Sequence, residues 1–203
     1  MRRSDALPLL ALAAFTLAGP AATLAEPASW VQMRQADWMG DALRGVSDPL
    51  AAVRPKTAED ASGGCDGVKT GQWGFHTENQ AGPWWQVDLG QARPLSHLRI
   101  WNRCDGTAGR ASRLMVLVSP DGAGWERVYG HNGQTFYGQS DQKPLEVPLG
   151  NRQARFVRLQ LPGTSYFHLD EVEVFAGGEP GKNIALDCPA DQSSMSQLSL
   201  IHI

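Results

Sequence analysis

The sequence predicts an all-β domain, an antiparallel β-sandwich of the jelly-roll type, behind a leader and a short, partly helical segment. Three observations predict it. From Gly63 to about Phe175, apolar and polar residues alternate in short runs, the period of strands that bury one face. Gly, Pro, Asn and Asp punctuate those runs, and no helical repeat comes between them. Composition agrees, because 22 Gly, 13 Pro and 7 Trp suit a turn-rich β protein.

Taken in order, residues 1–25 form the first element. Arg2 and Arg3 precede an apolar run from Leu7 to Leu24, and small residues lead up to Glu26. This is the pattern of a secretory signal peptide, so a secreted or periplasmic protein is expected, with cleavage after Ala25. Pro8 and Gly19-Pro20 interrupt the run, which argues against a transmembrane anchor. Residues 26–56 place Trp30, Met33, Trp38, Met39 and Leu43 at a partly helical spacing that breaks at Ser47-Asp48-Pro49.

Seven strands are then expected, at Trp84–Leu89, Leu98–Asn102, Leu114–Ser119, Trp125–Tyr129, Leu145–Leu149, Arg155–Leu161 and Leu169–Phe175. Ser119-Pro120-Asp121-Gly122 and Asn132-Gly133 supply the dihedrals of tight turns. In an alternating strand one of Trp84 and Trp85 must face the core, so the pair is read as structural. The last six residues, Leu198–Ile203, look like the translation of a sequencing-adapter (transposase mosaic-end) sequence, and the natural chain is expected to continue beyond Gln197.

The formal charge is −3, and removing Arg2, Arg3 and Asp5 with the leader makes it −4. Such a chain lacks the basic footprint of a nucleic-acid binder. Nucleophile-elbow, zincin and phosphate-loop motifs are absent from the sequence, as is a closely spaced Cys/His cluster, and no enzymatic activity is expected. Glu171 and Glu173 share one face of the last strand. Two carboxylates so placed suit a glycosidase pair, but Glu173 is read as part of a solvated strand face.

One constellation stands out. His76 is followed after twenty-six intervening residues by Arg103, Asp105 lies two beyond it, and Arg110 five further on. Imidazole and guanidinium groups donate in fixed directions and carboxylate accepts, so such a set can ring the hydroxyls of a sugar. Together with Phe75-His76-Thr77, Pro83–Gly90, Asn102–Asp105 and Leu169–Val174, it resembles the discoidin-like superfamily, also called coagulation factor V/VIII type C, and within it the fucolectin or F-type lectin branch. The resemblance covers roughly residues 57–177.

That resemblance implies a galactose-binding-domain-like sandwich that binds fucose or a similar hexose on glycans without chemistry of its own. His76, Arg103 and Arg110 would donate to the sugar, and Asp105 would organise an arginine. Where many animal F-type lectins carry adjacent cysteines that pack on the sugar, this chain has Gly106 and Thr107. An apolar platform is therefore expected from Trp73, Phe75, Phe136 or Tyr137. The resemblance also implies a structural calcium ion at Asp66, Val68, Asp170 and Glu171, partly through main-chain carbonyls.

Cys65 and Cys104 adjoin these loops and are candidates to pair as a disulfide, while Cys188 is left over. Residues 178–197, with Asn183-Ile184-Ala185-Leu186, resemble a linker and the start of a second, truncated copy, so tandem domains downstream are expected. Two alternatives stand beside the lectin reading. One is an accessory domain of a larger secreted enzyme such as a glycoside hydrolase, and the other is an adhesion domain that has lost sugar binding.

Overall fold

The computed structural model describes residues 57–179 and 181–197. The leader, the partly helical segment 26–56 and the tail 198–203 lie outside the described residues. No helix of the described residues is long and apolar enough to cross a membrane.

Among the described residues ten strands appear: β1 (Phe75–His76), β2 (Gln80–Ala81), β3 (Trp84–Trp101), β4 (Met115–Ser119), β5 (Glu126–Gly130), β6 (Leu145–Gln160), β7 (Thr164–Ser165), β8 (His168–Leu169), β9 (Glu171–Ala176) and β10 (Ala190–Gln192). Helix α1 (Thr57–Ser62) opens the described chain, and a 3₁₀ helix runs from Ala108 to Arg113. Every pairing between named strands is antiparallel.

Two pairs of expected strands are each continuous. β3 joins the runs at Trp84 and Leu98, and β6 joins those at Leu145 and Arg155. Register shifts between Asp88 and Arg93 and between Leu95 and His97 turn β3 through a corner, as bulges do. Its first half lies between β10 and the second half of β6, which continues to β4 and β5. Its second half lies between β9 and the first half of β6.

The core is the set of inward positions that strand alternation selects. Trp85, Val87, Leu98, Ile100, Val116, Val147, Leu149, Val157, Leu159, Val172 and Val174 are all fully buried. Trp84, on the opposite face from Trp85, instead carries the Arg158 guanidinium 4.5 Å from its ring centre. Gly74 explains how three segments come close beneath the rim. A Cβ there would lie 2.0 Å from the Gly63 carbonyl oxygen and 2.4 Å from that of Asp170.

The segment expected to open a second copy packs on this sandwich instead. β10 pairs with β3, Asn183 bridges Phe175, and Ala185 is buried in the core. The physical reason is that β3 would otherwise leave an unpaired edge along Trp85–Val87, which this segment covers.

Candidate functional site

Three separate segments deliver the expected sugar residues to one place. His76 comes from β1, which pairs with β8 so that His76 stands opposite His168, with ring centres 5.1 Å apart. Arg103 and Asp105 come from the loop leaving β3, and Arg110 from the 3₁₀ helix. Asn102 fixes that loop. Its buried amide donates to the Ala108 and Phe136 carbonyls at 2.9 Å each, and its oxygen accepts from the Arg103 N–H.

Arg103 and Asp105 form a two-pronged ion pair, with Nε donating to Oδ1 at 2.8 Å and Nη2 to Oδ2. Thr107 adds its N–H and hydroxyl to the same carboxylate. The Arg103 hydrogen bonds, foremost, hold the Asp105 carboxyl well below the usual carboxylate range. The guanidinium lies 4.7 Å from the Trp73 ring centre, which leaves both Nη1 hydrogens and one on Nη2 for a ligand.

His76 differs from its expected role as a donor. Its Nδ1 lies 2.8 Å from the Thr77 carbonyl, which only accepts, so Nδ1 carries the proton. Burial, with Arg103 and Arg110 nearby, pushes its pKa below 6.5, so at neutral pH Nε2 presents a lone pair. The imidazole can therefore accept a hydrogen bond, and the donors at this place are the two arginines.

Arg110 lies 5.0 Å from the Tyr166 ring centre, and its Nη1 approaches His168 Nε2 at 3.4 Å. Tyr166 also meets the His76 ring edge-on at 5.5 Å. Burial first, then the neighbouring arginines and His76, pushes the pKa of His168 down to about 3, so it is a neutral acceptor for Arg110. His76 and Arg103 form the floor at 3% and 6% exposure, with Asp105 and Arg110 as the exposed rim. These four residues line neither the cleft at Arg113 and Arg127 nor the one at Glu59 and Asp170.

The aromatic expectations divide. Trp73 stands at the site, 5.8 Å from His76. Phe75 does not, because it is fully buried between Trp85 and Phe167. Phe136 packs toward the core and His131, and what it gives the site is its carbonyl. Tyr137 is exposed and likewise supports the loop through its carbonyl, which accepts from Asn102 at 2.7 Å. Sequence reasoning missed Tyr166, His168 and Asn102 as members of the site.

The Cys65–Cys104 disulfide is absent, and all three cysteines are free thiols. Cys65 is buried and turns to the Cys188 carbonyl at 3.6 Å, whereas Cys104 lies on the sugar loop. A hydrogen bond from Cys104 N–H to the Gly71 carbonyl, 2.8 Å, ties the two loops together.

At the expected cation locus, Asp66 caps its own turn by accepting from Val68 N–H at 2.8 Å. Asp170 accepts from the Thr70 and Gly71 amides, so its carboxylate is engaged by the loop. Glu171 accepts from Gly67 N–H through Oε1, and its buried Oε2 has no partner. Burial pushes its pKa up to about 8. Among the described residues no three His, Cys, Asp or Glu side chains are arranged to hold a metal ion. Glu173 is a buttress more than a solvated charge, half-buried between Lys69 and the Trp101 N–H.

A family model, the F5/8 type C domain, matches residues 52–172. The chain is 31% identical to Fucolectin-6 of Anguilla japonica over 101 residues, 50% of this chain and 53% of the relative. It is 29% identical to Fucolectin of Anguilla anguilla over 146 residues, 66% of this chain and 88% of the relative. It thus spans about half the length of the first of these. A solved f-lectin (fucolectin) from Morone saxatilis (striped bass) serum is 25% identical with a TM-score of 0.51, over 64% of this chain and 46% of that one.

Proposed function

The chain belongs to the F5/8 type C domain family, and from that premise we propose that it is an exported glycan-binding module that recognises fucose or a similarly configured hexose and breaks no bond. The observation that carries the proposal is the convergence of His76, Arg103, Asp105 and Arg110 from segments far apart in the chain. Their chemistry is complementary. Arg103 and Arg110 donate to hydroxyl oxygens, and His76 Nε2 accepts from a hydroxyl that both donates and accepts. The names of the relatives, fucolectins among them, support the same ligand class.

Asp105 acts through Arg103. By taking Nε and one Nη2 hydrogen it fixes the plane of the guanidinium, so less rotamer freedom is lost when sugar binds. Trp73 and Tyr166 flank the polar group and offer aromatic surface to the C–H face of a sugar, a part that Gly106 and Thr107 cannot play.

One calcium ion belongs to the same proposal. Glu171 Oε2, the Asp66 carboxylate and main-chain oxygens of Val68 and Asp170 would hold it, and the partnerless buried Oε2 supports the fit. The ion would supply positive charge to a carboxylate that burial otherwise keeps protonated.

The test is a glycan array with the purified protein and its Arg103→Ala variant. Each charge-assisted hydrogen bond contributes about 1.5–3 kcal/mol, against roughly −4 kcal/mol for a millimolar monovalent site. Signal on fucosylated glycans that disappears in the variant is the expected result. Equal signal from both proteins, or none from a folded wild type, overturns the proposal.

A further inference from the structure

Beyond Arg110 the 3₁₀ helix carries a second arginine. Such a helix has three residues per turn and rises about 2 Å per residue, so side chains three apart eclipse at a separation of about 6 Å along the axis. Arg110 and Arg113 are such a pair at the end of the helix. Arg110 turns to the sugar notch, and Arg113 enters the wall of a neighbouring cleft of about 750 Å³.

That cleft has a consistent chemistry. Arg127 joins Arg113, Met115 and Pro162 provide apolar surface, and no carboxylate lines it. Among the described residues, neither Arg113 nor Arg127 forms an ion pair, although Arg93, Arg99, Arg103, Arg152 and Arg155 all do. Two guanidiniums without an ion-pair partner among the described residues therefore share one concave surface on a chain whose formal charge is −3.

The other polar side chains there are already committed. His131 Nε2 meets the Gln134 carbonyl at 2.9 Å, so Nε2 carries a proton. Its Nδ1 then accepts from the Tyr129 hydroxyl, also at 2.9 Å. Asn132 accepts the Gln134 N–H through Oδ1 and keeps a neutral amide donor, so the charged donors of the cleft are the two guanidiniums, and the groups they recognise best are oxyanions.

We infer that this cleft receives an anionic group, a sulfate ester or a carboxylate, carried by a sugar next to the one held at His76, Arg103 and Arg110. The inference rests on the glycan-binding reading. One 3₁₀ turn separates the two arginines, about the reach of one further saccharide unit, so both sites lie within a single branched glycan.

The experiment compares three oligosaccharides on the purified protein: a neutral fucosylated glycan, its sulfated counterpart and its sialylated counterpart. Wild type is expected to bind one of the charged forms about 10- to 100-fold more tightly than the neutral form, the gain of one or two charged hydrogen bonds. Which form gains identifies the source of the anion, and raising the salt concentration narrows the difference. In Arg113→Ala/Arg127→Ala the ratio of charged to neutral affinity falls to about one, and in Arg127→Glu it inverts. Equal affinities in wild type, or a preference that survives both variants, overturns the inference. Wild type that ignores the neutral glycan overturns the glycan-binding reading first, and this one with it.

Discussion

Replacing Asp60 with Ala removes the support of the strand that carries His76 from behind. Asp60 is buried in α1, and its Oδ2 accepts the His76 N–H at 3.0 Å and the Gln192 side-chain amide at 2.7 Å. Gln192 keeps other acceptors, the Ser194 carbonyl at 2.7 Å and the His76 carbonyl at 3.4 Å, so it loses one bond of several. The His76 N–H has no second acceptor. An orphaned buried donor costs about 1–3 kcal/mol, and the weakened Gln192 contact adds roughly 1, for a total of about 2–4 kcal/mol. For a domain of this size, about 4 °C per kcal/mol gives a Tm lower by about 8–16 °C. Ala is a good helix former, so a loss of this size cannot come from the propensity of α1. Thermal and urea unfolding measure it, with Asp60→Asn as the control that keeps an acceptor and loses about 1 kcal/mol or less. A Tm for Asp60→Ala within 2 °C of wild type refutes the claim that Asp60 anchors the strand.

Arg103→Lys is expected to weaken fucoside binding at least about tenfold by calorimetry, because an ammonium cannot grip both Asp105 oxygens and lie flat on Trp73. Glycan binding should persist at pH 6.5, where a free imidazole is half protonated. Burial lowers the folded pKa of His76, so the imidazole is mostly neutral there; its contribution to stability is present above 6.5 and fades as pH falls toward the lowered folded value. The depressed Asp105 carboxyl likewise contributes above about 3.9 and is lost only as pH falls through its folded pKa. A drop in affinity centred near pH 6.5, or an NMR titration of His76 there, would contradict this. Calcium at about a hundred times its dissociation constant should stabilise wild type by roughly 2.7 kcal/mol and leave Glu171→Gln unmoved in a thermal melt. Burial pushes the Cys65 thiol up to about 12, so mass spectrometry after mild native alkylation at pH 8 should find Cys104 labelled and Cys65 not.

The sandwich was legible because period-two alternation survives in every long strand, and the corners that join two expected strands into β3 or β6 leave each half's pattern intact. His76, Arg103, Asp105 and Arg110 were legible because fixed loop lengths hold fixed offsets. Phe75 shows a signal that was present and unused. In a two-residue strand, the alternation that turns His76 toward the floor of the site turns Phe75 into the core. Tyr166 and His168 left no such trace. His168 reaches the site on β8 and Tyr166 in the link just before it, and β8 is too short to show a period and is placed only by its pairing with β1. The segment around β10 was misassigned because the closing edge strand of one sandwich and the opening strand of the next have the same local composition. Three cysteines in sequence carry no distances, so their separate environments appear only in the fold.

Helix α1 and the chain after β10 run side by side. Thr57 donates to Asp191 at 2.6 Å, the Ser196 amide to the His76 carbonyl at 2.8 Å, and the Gln197 amide to Glu78 at 3.2 Å. Through Asp60 and Ser196, the first and last described segments are both bound to His76 of one two-residue strand. A pull applied between Thr57 and Gln197 would load these few hydrogen bonds before the two sheets, so the sandwich would stay folded while the surroundings of His76 gave way.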